Sequence, residues 1–125
     1  MRLLLDTHLL LWSLTEPKRI GREGLALIDL SDVYASAASL WEISIKSALG
    51  KLKVTPAAIL KAIEPTGFSL LAIQADHAVR VYDLGPHHQD PFDRLLIAQA
   101  QIEHMTLLTN DESLTAYGHC VRWIE

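Results

Sequence analysis

Four acidic side chains stand beside apolar segments of this chain. Asp6 ends the run Leu3-Leu4-Leu5, and Glu42 lies within Ala37-Ala38-Ser39-Leu40-Trp41-Glu42-Ile43. Asp93 opens the apolar stretch from Arg94 to Ala100, and Asp111 follows Met105-Thr106-Leu107-Leu108-Thr109-Asn110. Ionised carboxylates are rarely buried unless a cation compensates them. Four of them, each attached to a core-forming segment, point to one shared cation site. Hard divalent cations take oxygen ligands, and Mg²⁺ keeps several waters while using few carboxylates, so one cluster can hold one or two ions. A bound metal can activate water and stabilise charge on a phosphate and its leaving oxygen. The expected chemistry is metal-dependent hydrolysis of a phosphate ester. Without metal, clustered carboxylates repel, and some take up protons.

Each acid also has a local explanation. Asp6 can cap a helix that starts at Thr7. Glu42 can pair with Lys46 four residues later on a helix surface. Asp93, at the third position of a helix, is favoured by the helix dipole. Asp111 can help start a short helix, and Thr109 with Glu112 has capping-box spacing. Taken singly, these readings compete with the metal site. Taken together they require four coincidences, all beside elements that a sheet would bring together.

The elements that must position these acids alternate along the chain. Residues 2–5 read as a short buried strand and residues 7–14 as a helix ended by Pro17. A second helix is expected at 22–30 and a strand at 33–36. Residues 38–49 read as a helix whose apolar face is Leu40, Trp41, Ile45, Ala48 and Leu49, stopped by Gly50. Pro56 suits the first turn of a helix over 56–64. A short strand within 68–73 and a helix at about 74–82 follow. Asp90-Pro91-Phe92-Asp93 has the form of a helix start, with Asp90 as N-cap and Pro91 as first residue, running to about His104. Strands are expected at 106–109 and 121–124. Short apolar strands alternating with helices predict an α/β fold with a mostly parallel sheet, as a single domain over residues 1–125. In such folds ligands gather beyond the carboxyl ends of the strands, where Asp6 and Asp111 fall.

Composition sets the remaining bounds. The chain has 125 residues, 50% hydrophobic and 21% charged, which suits one globular core. The single Cys120 leaves no internal disulfide and suits a reducing, cytoplasmic compartment. Met1-Arg2-Leu3-Leu4-Leu5 briefly resembles a secretory signal, but Asp6 and His8 interrupt it and no cleavage site follows. No apolar run approaches the roughly 18 residues of a membrane span. The net charge of −4 argues against a nucleic-acid binder that relies on basicity alone. That objection weakens when divalent metal fills the acidic site.

The segments resemble the PIN-domain nucleases, in particular the VapC-type toxins of bacterial toxin–antitoxin pairs. The matching pieces are Leu4-Leu5-Asp6-Thr7-His8 with Leu10-Leu11-Trp12, then Ser39 to Lys46, and Gly50-Lys51-Leu52. The most specific is His88-Gln89-Asp90-Pro91-Phe92-Asp93-Arg94-Leu95-Leu96-Ile97-Ala98-Gln99-Ala100, and Leu107-Leu108-Thr109-Asn110-Asp111 completes the set. Their order and spacing match across almost the whole chain. The resemblance implies a parallel sheet flanked by helices and a Mg²⁺- or Mn²⁺-dependent endoribonuclease site built from Asp6, Glu42, Asp93 and Asp111. It implies that Asp6 and Asp93 ligate the metal, that Glu42 acts through the metal or its water, and that Asp111 is the variable fourth acid. Asp90 is kept as a cap. The resemblance further implies a homodimer and a small antitoxin protein that blocks the site.

Other residues have weaker claims. Thr7 and Ser39 can hydrogen-bond a metal-bound water, a carboxylate or the local backbone. Lys46, Lys51, Lys53 and Arg94 are candidates for contacting RNA phosphates or steadying the acids, although Lys51 and Lys53 also suit solvated charges after a helix end. His87, His88 and Asp90 invite a zinc reading, but no further His/Cys spacing supports it. Trp12, Trp41 and Trp123 are expected in the core or at an interface rather than stacked on bases. No Gly-rich phosphate loop is present, which argues against an NTPase. Two other functions compete with the nuclease. One is a dehalogenase-like phosphatase with Asp6 as nucleophile, although the position two residues on, commonly Asp in such enzymes, is His8. The other is a module that binds metal or RNA without cutting.

Overall fold

The computed structural model describes residues 1–125 as one sheet with helices on both faces. The strands are β1 (Arg2–Leu5), β2 (Asp32–Ser36), β3 (Ser69–Leu71), β4 (Thr106–Thr109) and β5 (Val121–Trp123). They are all parallel, in the order β3-β2-β1-β4-β5, so β1 is central. The helices are α1 (Thr7–Thr15), α2 (Arg22–Asp29), α3 (Ala37–Ala48), α4 (Pro56–Ile63), α5 (Ala75–Arg80) and α6 (Pro91–Glu103). Short 3₁₀ segments lie at Pro17–Arg19, Val81–Asp83 and Glu112–Tyr117. The parallel α/β architecture expected from the alternating segments is therefore present.

Strand periodicity divides the core. Successive side chains point to opposite faces of a sheet. Leu3 and Leu5 of β1 join Val33, Ala35 and Leu108 on one face, packed by Leu9 and Leu10 of α1, Ile28 of α2 and Ile63 of α4. Leu4 and Leu107 face the other way, onto Leu95, Leu96, Ile97 and Ala100 of α6. Because β1 is fully covered on both sides, its sequence reads as continuously apolar rather than alternating. A smaller cluster of Leu11, Ile43 and Ile59 locks α1, α3 and α4 together.

Helix α3 departs from the expected pattern. Trp41, Ile45 and Leu49, read from sequence as part of its apolar face, are 55%, 39% and 64% exposed. Ala48 is also exposed, and Leu40 is partly buried. The buried residues are Ala38, Ser39, Glu42 and Ile43. Small and polar residues let α3 approach α1 and α6 closely, and the larger apolar side chains remain outside. The stop at Gly50 forms as expected: Gly50 has φ +75°, and the amides of Gly50 and Lys51 donate to the carbonyls of Ser47 and Lys46.

The order of strands also fixes where a ligand can sit. The chain moves from β1 to β2 and β3 on one side, then returns to β4 and β5 on the other. The resulting switch point lies between β1 and β4, and a crevice opens beyond their carboxyl ends.

Candidate active site

Asp6 is the first residue beyond β1, and its amide donates to the Leu108 carbonyl of β4 at 3.0 Å. It is 4% exposed. It caps α1, with Oδ1 accepting from the Leu9 amide at 2.8 Å, while Oδ2 accepts from the Thr109 hydroxyl at 2.5 Å. Burial pushes its carboxyl above the usual carboxylate range, against the opposing pull of the Thr109 and Leu9 hydrogen bonds. The local role and the site position thus coexist in one side chain.

Asp93 is the third residue of α6. Asp90 caps that helix as expected, with Oδ1 accepting from the amides of Phe92 and Asp93 at 2.9 and 3.0 Å. Burial pushes the Asp93 carboxyl up to about 6; the nearby charges of Asp90 and Asp6 add to this, and a hydrogen bond with His88 opposes it. Asp111 follows β4 and caps the 3₁₀ turn, with Oδ1 accepting from the Ser113 amide at 3.0 Å and hydroxyl at 2.7 Å.

Glu42 and Lys46 form the expected i,i+4 pair, with Nζ 2.6 Å from Oε2. The pair is not on an open helix surface, because Glu42 is 5% exposed. Its other oxygen, Oε1, is buried without a hydrogen-bond partner. The Glu42 hydrogen bond raises the Lys46 pKa despite burial, and the charges of Glu42, Asp90 and Asp93 add to the effect.

These residues converge on one cavity of about 90 Å³, lined by Asp6, Thr7, His8, Glu42, Lys46, Asp90, Asp93 and Asp111 and by no hydrophobic residue. Larger hollows exist, including one of about 480 Å³ beside Trp123 and Ile124, but none gathers carboxylates in this way. Five carboxylates face a single ammonium in the cavity. An unpaired buried carboxylate oxygen is costly. The unpaired Glu42 Oε1 and the raised carboxyls of Asp6 and Asp93 therefore fit a site for a cation. All-oxygen donors suit a hard divalent ion.

Other expectations meet different outcomes. Thr7 and Ser39 meet each other: the Thr7 hydroxyl donates to Ser39 Oγ at 3.0 Å and fastens α1 to α3, and Thr7 lines the acid cavity. Thr109 forms no capping box with Glu112. Its hydroxyl instead donates to Asp6 and accepts from the Asp111 amide at 3.0 Å, linking the two acids. Arg94 turns away from the acids. Its guanidinium donates to the carbonyls of Val81, Gly85 and His88 and to the Tyr117 hydroxyl, all at 3.0–3.1 Å, so it binds the loop before α6. Those contacts occupy the group proposed to meet RNA. Lys51 and Lys53 are exposed in the turn after α3. Trp12 packs partly against the core beneath the Arg19 guanidinium, and Trp123 donates to the Asn110 carbonyl at 3.3 Å. His88 was not placed at the acid cluster by sequence, yet its Nε2 lies 2.8 Å from Asp93 Oδ2. Only the fold of the loop held by Arg94 brings it there.

The PIN-domain family profile matches residues 3–119. The chain belongs to the PIN-domain family. Members of that family are nuclease-type hydrolases that generally bind divalent metals. Among solved structures, the chain is similar to VapBC2 from Rickettsia felis, bound in that structure to a DNA fragment from its promoter. The TM-score is 0.70 and the identity 18%, covering 94% of this chain and 93% of the other. It is also similar to DNA-bound VapBC from Salmonella typhimurium, with TM-score 0.69 and 15% identity over 98% and 97% of the two chains. FitAcB from Neisseria gonorrhoeae aligns with TM-score 0.64 and 25% identity over 95% of each chain. A search of curated protein sequences finds no match. No helix in this PIN domain is long and apolar enough to cross a membrane.

Proposed function

We propose that this PIN domain is a metal-dependent endoribonuclease and the toxin of a toxin–antitoxin pair. The observation that carries the reading is the all-polar cavity that Asp6, Glu42, Asp93 and Asp111 line together, with the buried Oε1 of Glu42 left unpaired. Those four acids would hold Mg²⁺ or Mn²⁺. When bound, the ion lowers the pKa of water and neutralises charge on a phosphodiester.

The chain's own residues prepare the reaction. Thr109 fixes Asp6 through Oδ2 and positions the start of the Asp111 turn. Asp90 sets the first turn of α6 and thereby the direction of Asp93. Lys46 holds one oxygen of Glu42 and supplies positive charge at a site that must receive an anionic backbone. An accessible, unstacked RNA backbone in a loop or single strand is the substrate best suited to so small a cavity. Lys51 and Lys53 are placed to extend its electrostatic reach. An Asp6 nucleophile has less support, because the position two residues on, commonly Asp in phosphatases of that kind, is His8.

The partner assignment rests on separate support. Similar structures are described as VapBC and toxin–antitoxin complexes. Trp41, Ile45 and Leu49 follow one another at helical spacing on the outer face of α3 and are exposed. Such an apolar row suits a protein contact, here a small antitoxin or the second protomer of a homodimer. Induced expression tests the biology. The chain should arrest growth and leave new RNA 5′ or 3′ ends, Asp6→Asn should do neither, and a co-expressed antitoxin gene should relieve the arrest. Harmless high-level expression would remove the toxin assignment. Growth arrest without new RNA ends would favour a binding module.

A further inference from the structure

The fold separates the two adjacent histidines that suggested zinc. His87 turns edge-on to Tyr117, with ring centroids 5.2 Å apart. His88 reaches the acid cluster, and one donor atom each from His88, Asp93 and Asp111 lies within 4.8 Å of the others. We propose that His88 is a metal ligand, and that His88, Asp93 and Asp111 form a nitrogen-containing position that takes a first-row transition ion such as Mn²⁺ in preference to Mg²⁺. This rests on the metal-dependent reading above and assigns the class of ion.

Three observations carry the assignment. First, the cavity that Asp93 and Asp111 line also holds Glu42, whose side chain is 7% exposed and whose Oε1 has no partner, Lys46 meeting only Oε2. Second, the spacing of His88 and Asp93 suits ligation, and a donor atom of Asp111 lies within 4.8 Å of both. The 2.8 Å between His88 Nε2 and Asp93 Oδ2 is near the roughly 3 Å that separates neighbouring donors at right angles around an ion with bonds of about 2.1 Å. An ion between them replaces the hydrogen bond, with Nε2 deprotonated and its lone pair directed at the metal. Third, His88 is held in place. Arg94, next to Asp93 on α6, donates to the His88 carbonyl at 3.1 Å and the Gly85 carbonyl at 3.0 Å, so the loop and the helix present their donors together.

The donor set then decides the ion. Mg²⁺ prefers oxygen ligands and gives up water reluctantly. Imidazole contributes more to binding divalent transition ions, whose affinity for mixed nitrogen and oxygen sites rises along the first row. A site of carboxylates alone would not discriminate in this way.

The test uses the full chain, stripped of metal, in a buffer that does not chelate. Mn²⁺ is added at one equivalent, and electron spin-echo modulation reports directly bound ¹⁴N. The same measurement is made on His88→Ala and His88→Gln, and on His8→Ala because His8 lines the same cavity. Nitrogen modulation should be present in the wild type and His8→Ala and absent from both His88 variants. By calorimetry, Mn²⁺ affinity should fall about tenfold or more in the His88 variants, while Mg²⁺ affinity changes less than about threefold. The assignment stays open to refutation even if a variant fails to fold: wild-type protein with bound Mn²⁺ and no nitrogen modulation overturns the His88 assignment and leaves the nuclease reading standing. Modulation that persists in a folded His88 variant, or equal losses for both ions, also overturns it. Mn²⁺ that does not bind at all overturns the assignment, and the metal-dependent reading falls with it only when Mg²⁺ does not bind either.

Discussion

Replacing Asp93 by Asn should stabilise the metal-free protein near neutral pH. Burial holds this carboxyl up at about 6, against an ordinary value of 3.8, so ionising it at pH 7 works against the fold. A group with a raised folded pKa contributes stability that is complete below its unfolded pKa and is lost as pH rises through the folded one. Here the loss falls between about pH 4 and 6. A shift of about two units corresponds to roughly 3 kcal/mol. The side chain is 23% exposed, and solvent screening reduces the usable figure to about 1–2 kcal/mol. The charge also interacts favourably with the α6 dipole, by about 0.3–1 kcal/mol, and Asn forfeits that. The net expectation is about 1 kcal/mol in favour of Asn, or about 3–5 °C in Tm for a chain of this size. Thermal unfolding in chelator at pH 7 and pH 4 measures it, and the advantage should vanish at pH 4, where the wild type is protonated. Adding Mn²⁺ at about 100 times its Kd should stabilise the wild type by about 2.7 kcal/mol and reverse the order at pH 7. A variant that melts lower in chelator at pH 7 would mean that the helix-start role of Asp93 outweighs burial. An equal gain from Mn²⁺ in both proteins would refute its role as a ligand.

Lys46→Ala leaves Glu42 without its one hydrogen-bond partner, so in chelator it should destabilise by about 1–2 kcal/mol, less than a fully buried pair because Lys46 is partly exposed. Mn²⁺ should restore most of that loss, and no recovery in the melting curve would argue against a cation shared with Glu42. Binding of metal must displace the proton from Asp93, so Mn²⁺ affinity by calorimetry should fall about tenfold per unit below roughly pH 6; a flat profile from pH 5 to 7 would contradict this. Changing Lys51 and Lys53 together to Ala, in the Asp6→Asn background, should flatten the slope of log RNA affinity against log salt by roughly 1.4 if each meets one phosphate. An unchanged slope would mark both as solvated charges.

The alternation of apolar runs with capped helices made the parallel sheet readable from sequence, because a strand covered on both faces leaves an unbroken run such as Leu3-Leu4-Leu5. The four acids were legible for a related reason: each interrupts or borders a segment that the core requires. Helix α3 was misread because hydrophobicity alone does not reveal which side a helix turns inward. Its close approach to α1 and α6 selects Ala38, Ser39 and Glu42 for burial over Trp41 and Leu49. Thr109 was read only as a cap and His88 only for zinc, because the partners of both come from outside their own elements. Thr109 meets Asp6 across 103 positions of sequence, and His88 depends on a loop conformation that Arg94 holds through backbone carbonyls. A guanidinium spent on carbonyls cannot be told from one facing a phosphate until the loop is in place.

The central claim is that the acid cavity hydrolyses RNA by means of a divalent ion. Metal-free protein, verified by elemental analysis, should leave a single-stranded RNA intact in excess chelator and cleave it internally when Mn²⁺ or Mg²⁺ is restored, with Asp6→Asn folded and inactive under both conditions. Cleavage that continues undiminished in the metal-free protein, or that survives in Asp6→Asn, would contradict the account.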